Sequence, residues 1–444
     1  MKHYARLAAL ATVAALIIGI PSMSHSQILA GLALEKLGIL CNQGTGARPF
    51  AMGGAYTAVS DDAFALIYNP AGLAEMRRKE IAMGLHQRSD EITNAYMRLS
   101  GTQSSSHTSL GHLAAVYPYP TYRGSLVFAF GLFQVGTSYL ESVKNAHLAD
   151  IPATAENRYV QSGTIYQYHF GLGFDLSPRV ALGASLVLWD ESIDFTDRID
   201  YADADSTALW NDNVKLDLDG VSFNMGLLVR LSENLRAGFS FTSPAWLTYR
   251  GDGITTYDGT YAGGGGWTTD PDYAIIEEDY TLPMKFNGGL ALRFPLLTLA
   301  ADISYTDYAQ TKYNGLAITS ELDAGMEHVL EAAWSLRLGA EAMLPQAPVR
   351  FRAGFAYVPL ELSTVEEIAY IADDSPRSII ADFEAGRERR FFTFGVGGLI
   401  DRVLTLDLGV AIGGYEKVTK DGTRTVLTEE RSIAEVVLSG AYRF

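Results

Sequence analysis

The sequence predicts an all-β fold: a transmembrane antiparallel β-barrel of about fourteen strands, with a short, partly helical N-terminal hatch plugging the lumen. Three observations predict this fold. Apolar and polar residues alternate along many segments, the connections between these segments alternate between short and long, and the last segment ends on an aromatic residue. Together they indicate strands that present one apolar face to lipid.

Alternation with a period of two runs through the chain from about residue 80 onward. Val221, Phe223 and Met225, for example, alternate with Ser222 and Asn224. A soluble sandwich of two sheets would show the same alternation, with its apolar face turned inward. Many of these segments reach about ten residues, which is the length that a tilted membrane-crossing strand requires. The length therefore favours a membrane barrel over a sandwich.

The connections between the strands have a strict parity. Short turns are predicted at 119–123, 175–177, 231–234, 295–296, 345–348 and 401–402. Long polar loops are predicted between them, at 90–109, 135–162, 191–215, 244–279, 310–328, 359–389 and 414–431. Bacterial outer-membrane barrels show this asymmetry between periplasmic turns and extracellular loops, whereas a soluble β-protein has no reason to keep it.

The polar faces of the strands carry charged residues, which are strongly unfavourable against lipid near the bilayer midplane. These side chains are therefore expected to face the lumen. They are Lys285, Asn287, Arg293, Asp302, Glu331, Arg337, Glu341, Arg350, Arg352, Asp407, Glu435 and Arg443. Opposite charges on nearby strands predict pairs across the interior, Asp302 with Arg337 and Glu341 with Arg350.

The N-terminus reads as a signal peptide over residues 1–26. Lys2 and Arg6 form a positive region, an apolar run follows from 7 to 20, and small residues at 24–26 form a cleavage site. An uncleaved anchor is the alternative, but the run is short for a membrane-spanning helix. The segment predicts export from the cytoplasm.

The C-terminal strand carries a second export signal. Val436, Leu438, Gly440, Tyr442 and Phe444 share one face, and Phe444 ends the chain. A terminal aromatic strand of this form resembles the signal read by the barrel-assembly machinery. The alternative is anchoring at the membrane interface by the aromatic rings. Both interpretations give an outer-membrane location.

The composition excludes several function classes. A net charge of −17 argues against a nucleic-acid partner. The single cysteine, Cys41, allows no internal disulfide and has no metal-ligand spacing around it, so neither a metal nor a cofactor is expected. No paired nucleophile and base is recognisable, so an enzyme is not expected. Acidic residues cluster in the predicted loops, either as a solvated surface or as divalent-cation contacts with lipopolysaccharide.

Residues 27–79, between the signal peptide and the barrel at 80–444, do not alternate. They are rich in glycine and small residues, and Ser60 could cap a short helix over 61–68 that Pro70 ends. The segment is too small for a stable domain of its own. A barrel of about fourteen strands would otherwise leave an aqueous opening, so the lumen is its expected host.

This segment resembles the N-terminal hatch of the FadL/TodX family of outer-membrane transport proteins. The resemblance rests on two stretches, Gly46-Ala47-Arg48 with Ala51 to Asp62, and Tyr68-Asn69-Pro70-Ala71-Gly72-Leu73-Ala74. It extends more diffusely over the barrel, for example at 301–308 and at 352–355. The resemblance implies passive uptake of hydrophobic small molecules, long-chain fatty acids above all, with lateral exit through the barrel wall. Glycines at 131 and 136 suggest a kink or bulge in the third strand at such an exit.

The resemblance also implies where substrate binds. Candidate hatch and pocket residues are Phe50, Met52, Phe64, Ile67, Asn69, Pro70 and Ala71. Candidate residues of an apolar groove among the extracellular loops are Trp210, Trp246, Leu247, Tyr257, Tyr261 and Trp267. The expected partners are a hydrophobic ligand, outer-membrane lipid with lipopolysaccharide, and the barrel-assembly machinery during biogenesis, with the protein itself a monomer. For Asn69 to Ala71 the alternative is a helix stop with an asparagine cap.

Two other functions stay open for such a barrel. A PorV-like barrel with a similar hatch would serve as a docking or assembly partner for a protein secretion system. A plain porin is disfavoured, because residues 27–79 would obstruct its channel. Deleting these residues is expected to leave a leaky barrel that has lost selective uptake.

Overall fold

The computed structural model describes residues 44–96, 99–137, 139–147, 154–203, 206–261, 264–314, 316–317, 319–322, 325–328, 330–359, 368–372, 375–379, 383–385, 388–421 and 424–444. The predicted signal peptide and residues 27–43, with Cys41, lie outside the described residues.

Fourteen antiparallel strands form a closed barrel, as the alternation predicts. Each pairs with the next along the chain, and the last pairs with the first from Glu80↔Arg443 to Tyr96↔Leu427. The strands are β1 (Glu80–Tyr96), β2 (Leu99–Tyr119), β3 (Leu126–Thr137), β4 (Thr154–Ser177), β5 (Val180–Ala202), β6 (Ser206–Arg230), β7 (Leu235–Thr242), β8 (Lys285–Arg293), β9 (Leu297–Asp307), β10 (Ala332–Met343), β11 (Val349–Tyr357), β12 (Arg390–Ile400), β13 (Leu404–Asp421) and β14 (Arg424–Arg443).

Short turns join the strands at one rim, as predicted. One of them contains Asp401 and Arg402, both with positive φ (50° and 60°). Two consecutive residues of positive φ fit a type I′ turn, whose twist matches that of the flanking strands. The parity of the connections therefore places all short turns at one end of the barrel.

At the other rim, several predicted loops are wrong, because they form β-structure. β4, β5 and β6 run for 24, 23 and 25 residues and so include most of 191–215 and part of 135–162. The predicted loops 90–109 and 414–431 belong largely to β1, β2, β13 and β14. Two further strands, Ala245–Tyr261 and Asp272–Leu282, continue β7 and β8 beyond the rim, where the loop 244–279 was expected.

Shorter strands and one 3-10 helix complete this end of the molecule. They are Leu140–His147, Gly266–Thr268, Tyr308–Gln310 (the helix), Lys312–Tyr313, Leu316–Ala317, Thr319–Leu322, Gly325–His328, Ile368–Ala372, Ser375–Ile379 and Phe383–Ala385. The predicted loops 310–328 and 359–389 therefore also contain β-structure.

The outward face of the strands changes character along their length. On β5, Leu186 and Leu188 face outward and are 48% and 40% exposed. Beyond them Asp190 and Asp194 face outward, while Ile193 is buried. An exposed apolar surface is unfavourable in water but favourable in lipid. This change therefore marks the edge of the bilayer, with the long strands continuing past it.

The apolar belt below this edge surrounds the barrel. Large outward side chains of the belt include Phe239, Leu290, Ile303, Leu338, Phe394 and Leu438, each more than two fifths exposed. A continuous belt of this kind, around a barrel with its charges inward, is the surface of a membrane-spanning protein. None of the described helices is long and apolar enough to cross a membrane.

Residues 44–79, here called the lumenal segment, lie inside the barrel. The segment contains helix α1 (Ala47–Ala51), helix α2 (Ala65–Tyr68) and a 3-10 helix (Pro70–Glu75), and most of its residues are buried. α1 contacts β11 to β14, and the 3-10 helix contacts β3 to β6. The segment thus packs against opposite sides of the wall.

The helix predicted over 61–68 is shorter than expected. The Ser60 hydroxyl donates to the carbonyl of Tyr56 (2.7 Å) instead of capping a helix. Asp62 Oδ1 accepts from the amide of Phe64 (3.1 Å), so the chain still turns before α2 begins at Ala65. Pro70 ends α2 as predicted, because the preceding residue, Asn69, is extended.

Candidate functional site

A buried ion network holds the first half of the lumenal segment to the wall. Arg48 donates from Nε and Nη2 to the two carboxylate oxygens of Glu341 on β10 (2.9 and 3.1 Å). Its Nη1 donates to Asp61 (2.5 Å), to Asp62 (3.3 Å) and to the Tyr56 hydroxyl (2.8 Å). A bidentate pair of this kind fixes geometry as well as charge. Arg48 therefore ties residues 48–62 of the segment to one another and to β10.

The predicted charge pairs on the wall are met only in part. Glu341 lies 3.9 Å from Arg350, as predicted, but it binds Arg48 and Arg352 more closely. Asp302 does not form an ion pair with Arg337. Its carboxylate instead accepts hydrogen bonds from the backbone amides of Tyr56 and Thr57, both at 2.8 Å. Periodicity placed these carboxylates in the lumen but could not supply partners from a segment more than 200 residues away.

The Asn69-Pro70-Ala71 turn lies directly against the wall. The Asn69 amide donates to the carbonyls of Thr57 (2.8 Å) and Leu227 (3.1 Å), and its Oδ1 accepts from the amide of Ala71 (3.2 Å). A Cβ atom at Gly226 of β6 would overlap Asn69 Oδ1 and lie 2.8 Å from the Ala71 nitrogen. The glycine thus permits this close approach, and the turn is a hydrogen-bonded clamp between segment and wall.

An aromatic cluster lies where the lumenal segment meets β2, β3 and β4. Phe64 packs edge-to-face on His112 (4.8 Å between ring centroids) and lies 6.2 Å from Phe133. Phe133 packs edge-to-face on His169 (5.4 Å). All four side chains are at most 6% exposed. Leu66 completes this group, here called the aromatic cluster, and Ile67 packs beside it.

Among the described residues, neither ring nitrogen of His112 has a hydrogen-bond partner. A buried polar atom without a partner is costly. A group with a hydrogen-bond donor or acceptor that moved next to these nitrogens would therefore be stabilised by them.

The wall itself is interrupted beside this cluster. The β2–β3 ladder runs from Tyr119↔Leu126 to His112↔Phe133, although β2 continues to Leu99 and β3 to Thr137. β3 carries a bulge between Gln134 and Gly136 in its pairing with β4, which confirms the irregularity predicted for the third strand.

Beyond this point side chains bridge the two strands. Ser109 donates to Gln134 Oε1 (2.7 Å), and the ring of His107 stacks on Tyr139 (5.4 Å). Side-chain contacts of this kind separate more easily than a continuous backbone ladder. Outside the aromatic cluster, side-chain contacts therefore join β2 and β3 where their ladder has ended.

An apolar core fills the part of the barrel that extends beyond the membrane. It is here called the upper core and comprises Ile193, Phe195, Val214, Leu216, Leu218, Ala245, Leu247, Tyr249, Ile276, Tyr280, Tyr313 and Leu330. These residues lie on the inward faces of the strands, while polar residues such as Asp217 and Asp219 face outward. The interior above the bilayer therefore contains an apolar cluster, beside buried polar side chains such as Glu191 and Asp212.

Glu278 lies beside two tyrosines of the upper core. Its carboxylate accepts from the hydroxyls of Tyr280 (3.2 Å) and Tyr313 (2.5 Å). Burial raises the pKa of Glu278, and the two hydroxyl hydrogen bonds oppose that shift. Burial likewise raises the pKa of Tyr249 and Tyr280 well above the ordinary tyrosine value. Burial therefore favours the protonated forms of these three side chains.

The predicted groove residues do not form one groove. Leu247 lies in the upper core, and Trp210 stacks on Tyr257 (6.1 Å) near the tip of the extension. Trp267 lies on the small strand opposite Gly259, where its ring covers the glycine. Trp246 pairs with Val221 on the lipid side and is 51% exposed, at the bilayer edge where tryptophan commonly anchors.

The predicted pocket residues are likewise divided. Phe64 and Ile67 lie at the aromatic cluster. Phe50 packs with Ala411 and Val437 at the opposite wall, and Met52 lies against the glycines of β10 and β11.

Sequence reasoning missed His112, Phe133, His169 and Leu66. One signal was present, because Gly131 and Gly171 face inward where Leu66 packs. Among the described residues no group of three or more histidine, cysteine or acidic side chains could hold a metal ion.

Solved structures with the same fold are known. The chain is 16% identical to the P. putida toluene transporter TodX, with a TM-score of 0.60 over 90% of this chain and 99% of that one. It is 15% identical to a Pseudomonas aeruginosa FadL homologue, with a TM-score of 0.59 over 90% and 98% of the two chains. It is 16% identical to the CymD monoaromatic hydrocarbon channel, with a TM-score of 0.54 over 90% and 98%. At these identities the likeness shows the fold.

No protein with a curated description matches the sequence. A family model does match it, and its description is BamG. The match covers residues 35–332, which is more than half of the 444 residues and includes the whole lumenal segment and the aromatic cluster. The chain belongs to the BamG family.

Proposed function

We propose that this barrel carries hydrophobic small molecules, and long-chain fatty acids in particular, passively across a bacterial outer membrane. The observation that supports this most is the interruption of the β2–β3 ladder at His112↔Phe133, backed from inside by Phe64 of the lumenal segment. A water-filled pore for polar solutes needs neither a plugged lumen nor a weak point in its wall. The shared fold with a toluene transporter and a hydrocarbon channel agrees with this function.

The route begins in the extension beyond the membrane. A hydrophobic molecule enters among the side chains of the upper core, where Leu247 is the predicted groove residue that lines its path. Trp210, Tyr257 and Trp267 lie nearer the tip and provide the first contacts. Trp246 has no part in this route, because it faces lipid.

The route ends at the wall. The molecule passes to the aromatic cluster, and a shift of Phe64 and Ile67 with the separation of Ser109 from Gln134 lets it leave sideways between β2 and β3. Lateral exit keeps an alkyl chain out of water, which would cost about 0.8 kcal/mol per CH₂ group. Phe50, Met52, Asn69, Pro70 and Ala71 hold the rest of the lumenal segment in place during this movement.

The protein is proposed to lie in the outer membrane after export and assembly. The outward belt is in contact with outer-membrane lipid and lipopolysaccharide, residues 1–26 direct export, and the aromatic C-terminus ending in Phe444 is read by the barrel-assembly machinery during biogenesis. The protein acts as a monomer, and its hydrophobic ligand needs no cofactor.

Deletion of residues 27–79, with the signal peptide retained, tests the proposal. Cells that lack other hydrophobe-uptake barrels would express either the full chain or the deletion. Uptake of radiolabelled oleate and toluene, and leakage of a small hydrophilic dye, would be measured in both. The full chain is expected to take up oleate with little leakage, and the deletion to leak without selective uptake. Normal oleate uptake and low leakage by the deletion would contradict the proposal, while uptake of toluene alone would contradict the fatty-acid assignment.

The BamG match favours a second candidate function, that of a docking or assembly partner in an outer-membrane protein machine. On that account the extension beyond the membrane, or the rim of short turns, binds another protein. Copurification of a large complex without bound lipophile would favour this candidate over transport.

A further inference from the structure

A groove of about 620 Å³ lies in the lipid-facing surface of β1 to β4, on the side of the short turns. It lies outside the lumen, on the outer face of β2 and β3, between the short turns and the point where the proposed route crosses the wall. Its floor is Ala115, which pairs with Ile81 on one side and Phe130 on the other. Because the side chain of Ala115 is small and those of its two neighbours are large, a depression remains between them. Elsewhere on these strands Phe128 and Phe170 stand at its edges.

The mouth of the groove carries a positive charge held in a defined place. The Lys79 ammonium lies 5.0 Å from the centroid of the Tyr117 ring and 5.8 Å from that of Phe444. The carbonyl of Lys79 accepts from the amide of Phe444 (3.0 Å). The neighbouring Arg78 is exposed and donates to the carbonyl of Arg402 (3.1 Å). One cation, the Lys79 ammonium, therefore lies at the mouth of the apolar groove.

The positive charge at the groove is opposite in sign to the net charge of the protein. The chain has a net charge of −17, yet exposed cations collect at the rim of the short turns, where the barrel faces the periplasm. They are Arg77, Arg78, Lys79, Arg123, Arg179 and Arg402. An apolar groove with an ammonium group at its mouth, on a rim that carries further cations, is complementary to a lipid with an anionic headgroup.

We propose that this groove binds one anionic phospholipid of the periplasmic leaflet. One acyl chain lies over Ala115 between Ile81 and Phe130, and the phosphate contacts Lys79. The ring of Tyr117 lies beside the ammonium at the same depth, which is the position that tyrosine commonly takes at a bilayer interface.

The test is native mass spectrometry of the purified full chain titrated with phosphatidylglycerol or phosphatidylethanolamine. Lys79→Ala removes the headgroup contact and Ala115→Phe fills the groove. Arg179→Ala, at another short turn, and Ala301→Phe, on the outward face of β9, are the matched controls. The intact chain is expected to retain one phosphatidylglycerol in preference to phosphatidylethanolamine. Lys79→Ala should weaken phosphatidylglycerol binding about fivefold, as expected for one lysine near an anionic lipid surface.

Ala115→Phe should reduce retention of both lipids, and the two controls should behave as the intact chain does. Equal retention by all five proteins would overturn the proposal. Loss of retention in Lys79→Ala but not in Ala115→Phe would also overturn it, since the charge would then act without the groove. A photo-crosslinker at Phe128 that captures one defined protein in cells, with lipid retention unaffected by Ala115→Phe, would make the groove a protein contact instead.

Discussion

Replacement of Arg48 by methionine is the most informative perturbation of the lumenal segment. The Arg48 guanidinium is buried and binds three carboxylates, those of Asp61, Asp62 and Glu341. Methionine has a similar length but no charge. The change leaves Asp62 without its cation, whereas Glu341 keeps Arg352 at 2.7 Å.

The size of the effect follows from this uneven loss. Removing one partner of a buried ion pair costs about 3–5 kcal/mol, because the remaining charge is left uncompensated. Because Glu341 keeps Arg352 as a partner, we expect a cost at the lower end of that range. A cost of about 3 kcal/mol corresponds to roughly a hundredfold change in an equilibrium constant. The amides of residues 44–79 should then exchange with solvent about a hundred times faster through local opening.

Hydrogen exchange followed by mass spectrometry measures this directly. Arg198→Met is the matched control, because Arg198 pairs with Asp200 in an exposed position outside the membrane and should have no measurable effect. Adding Glu341→Gln to Arg48→Met should cost less than the sum of the two single changes, since the two side chains interact. Exchange in Arg48→Met no faster than in Arg198→Met would refute the role given to this network.

Three further changes have expected outcomes. Phe64→Ala should destabilise the packing at the aromatic cluster by about 3–5 kcal/mol and raise dye leakage, whereas Phe223→Ala on the lipid face should leave leakage unchanged. Gly226→Ala should displace the Asn69 turn, because the added methyl group would overlap Asn69 Oδ1. Overpacking of this kind costs about 1–3 kcal/mol. Faster amide exchange at 69–71 would show the displacement, and unchanged exchange would contradict it. Burial raises the pKa of Glu278, so its folded form keeps the proton to higher pH than the unfolded chain does. Stability should therefore be full at low pH and fall as pH rises from about 4.5 through the raised pKa; Glu278→Gln should flatten this dependence in urea unfolding, and an unchanged slope would contradict the assignment.

The wall of the barrel could be predicted from the sequence because alternation is a local property. The extension could not, although its residues also alternate. In β6, Phe223 and Met225 face outward toward lipid, whereas Val214, Leu216 and Leu218 face inward. The face that is apolar reverses at the bilayer edge, so Asp217 and Asp219 made this stretch look like a polar loop. Only the depth of a residue relative to the membrane decides between the two interpretations.

The site was harder to predict, because its contacts join distant parts of the chain. The glycine-rich sequence indicated a segment that packs closely on a host surface, and the Pro70 stop is confirmed. Nothing local links Phe64 to His112 or Arg48 to Glu341, which are brought together by closure of the barrel. Two features did have local signals: the bulge in β3, through the glycine at 136, and the packing site of Leu66, through Gly131 and Gly171.

Reconstitution of the purified chain into lipid vesicles tests the central claim most directly. Transfer of a labelled fatty acid into the vesicles and the ion conductance of the same preparation would be measured side by side, with protein-free vesicles as the reference. The account predicts fatty-acid transfer above the protein-free rate with little ion conductance, because the lumenal segment fills the pore while the wall between β2 and β3 opens. Steady ion conductance without fatty-acid transfer would contradict it.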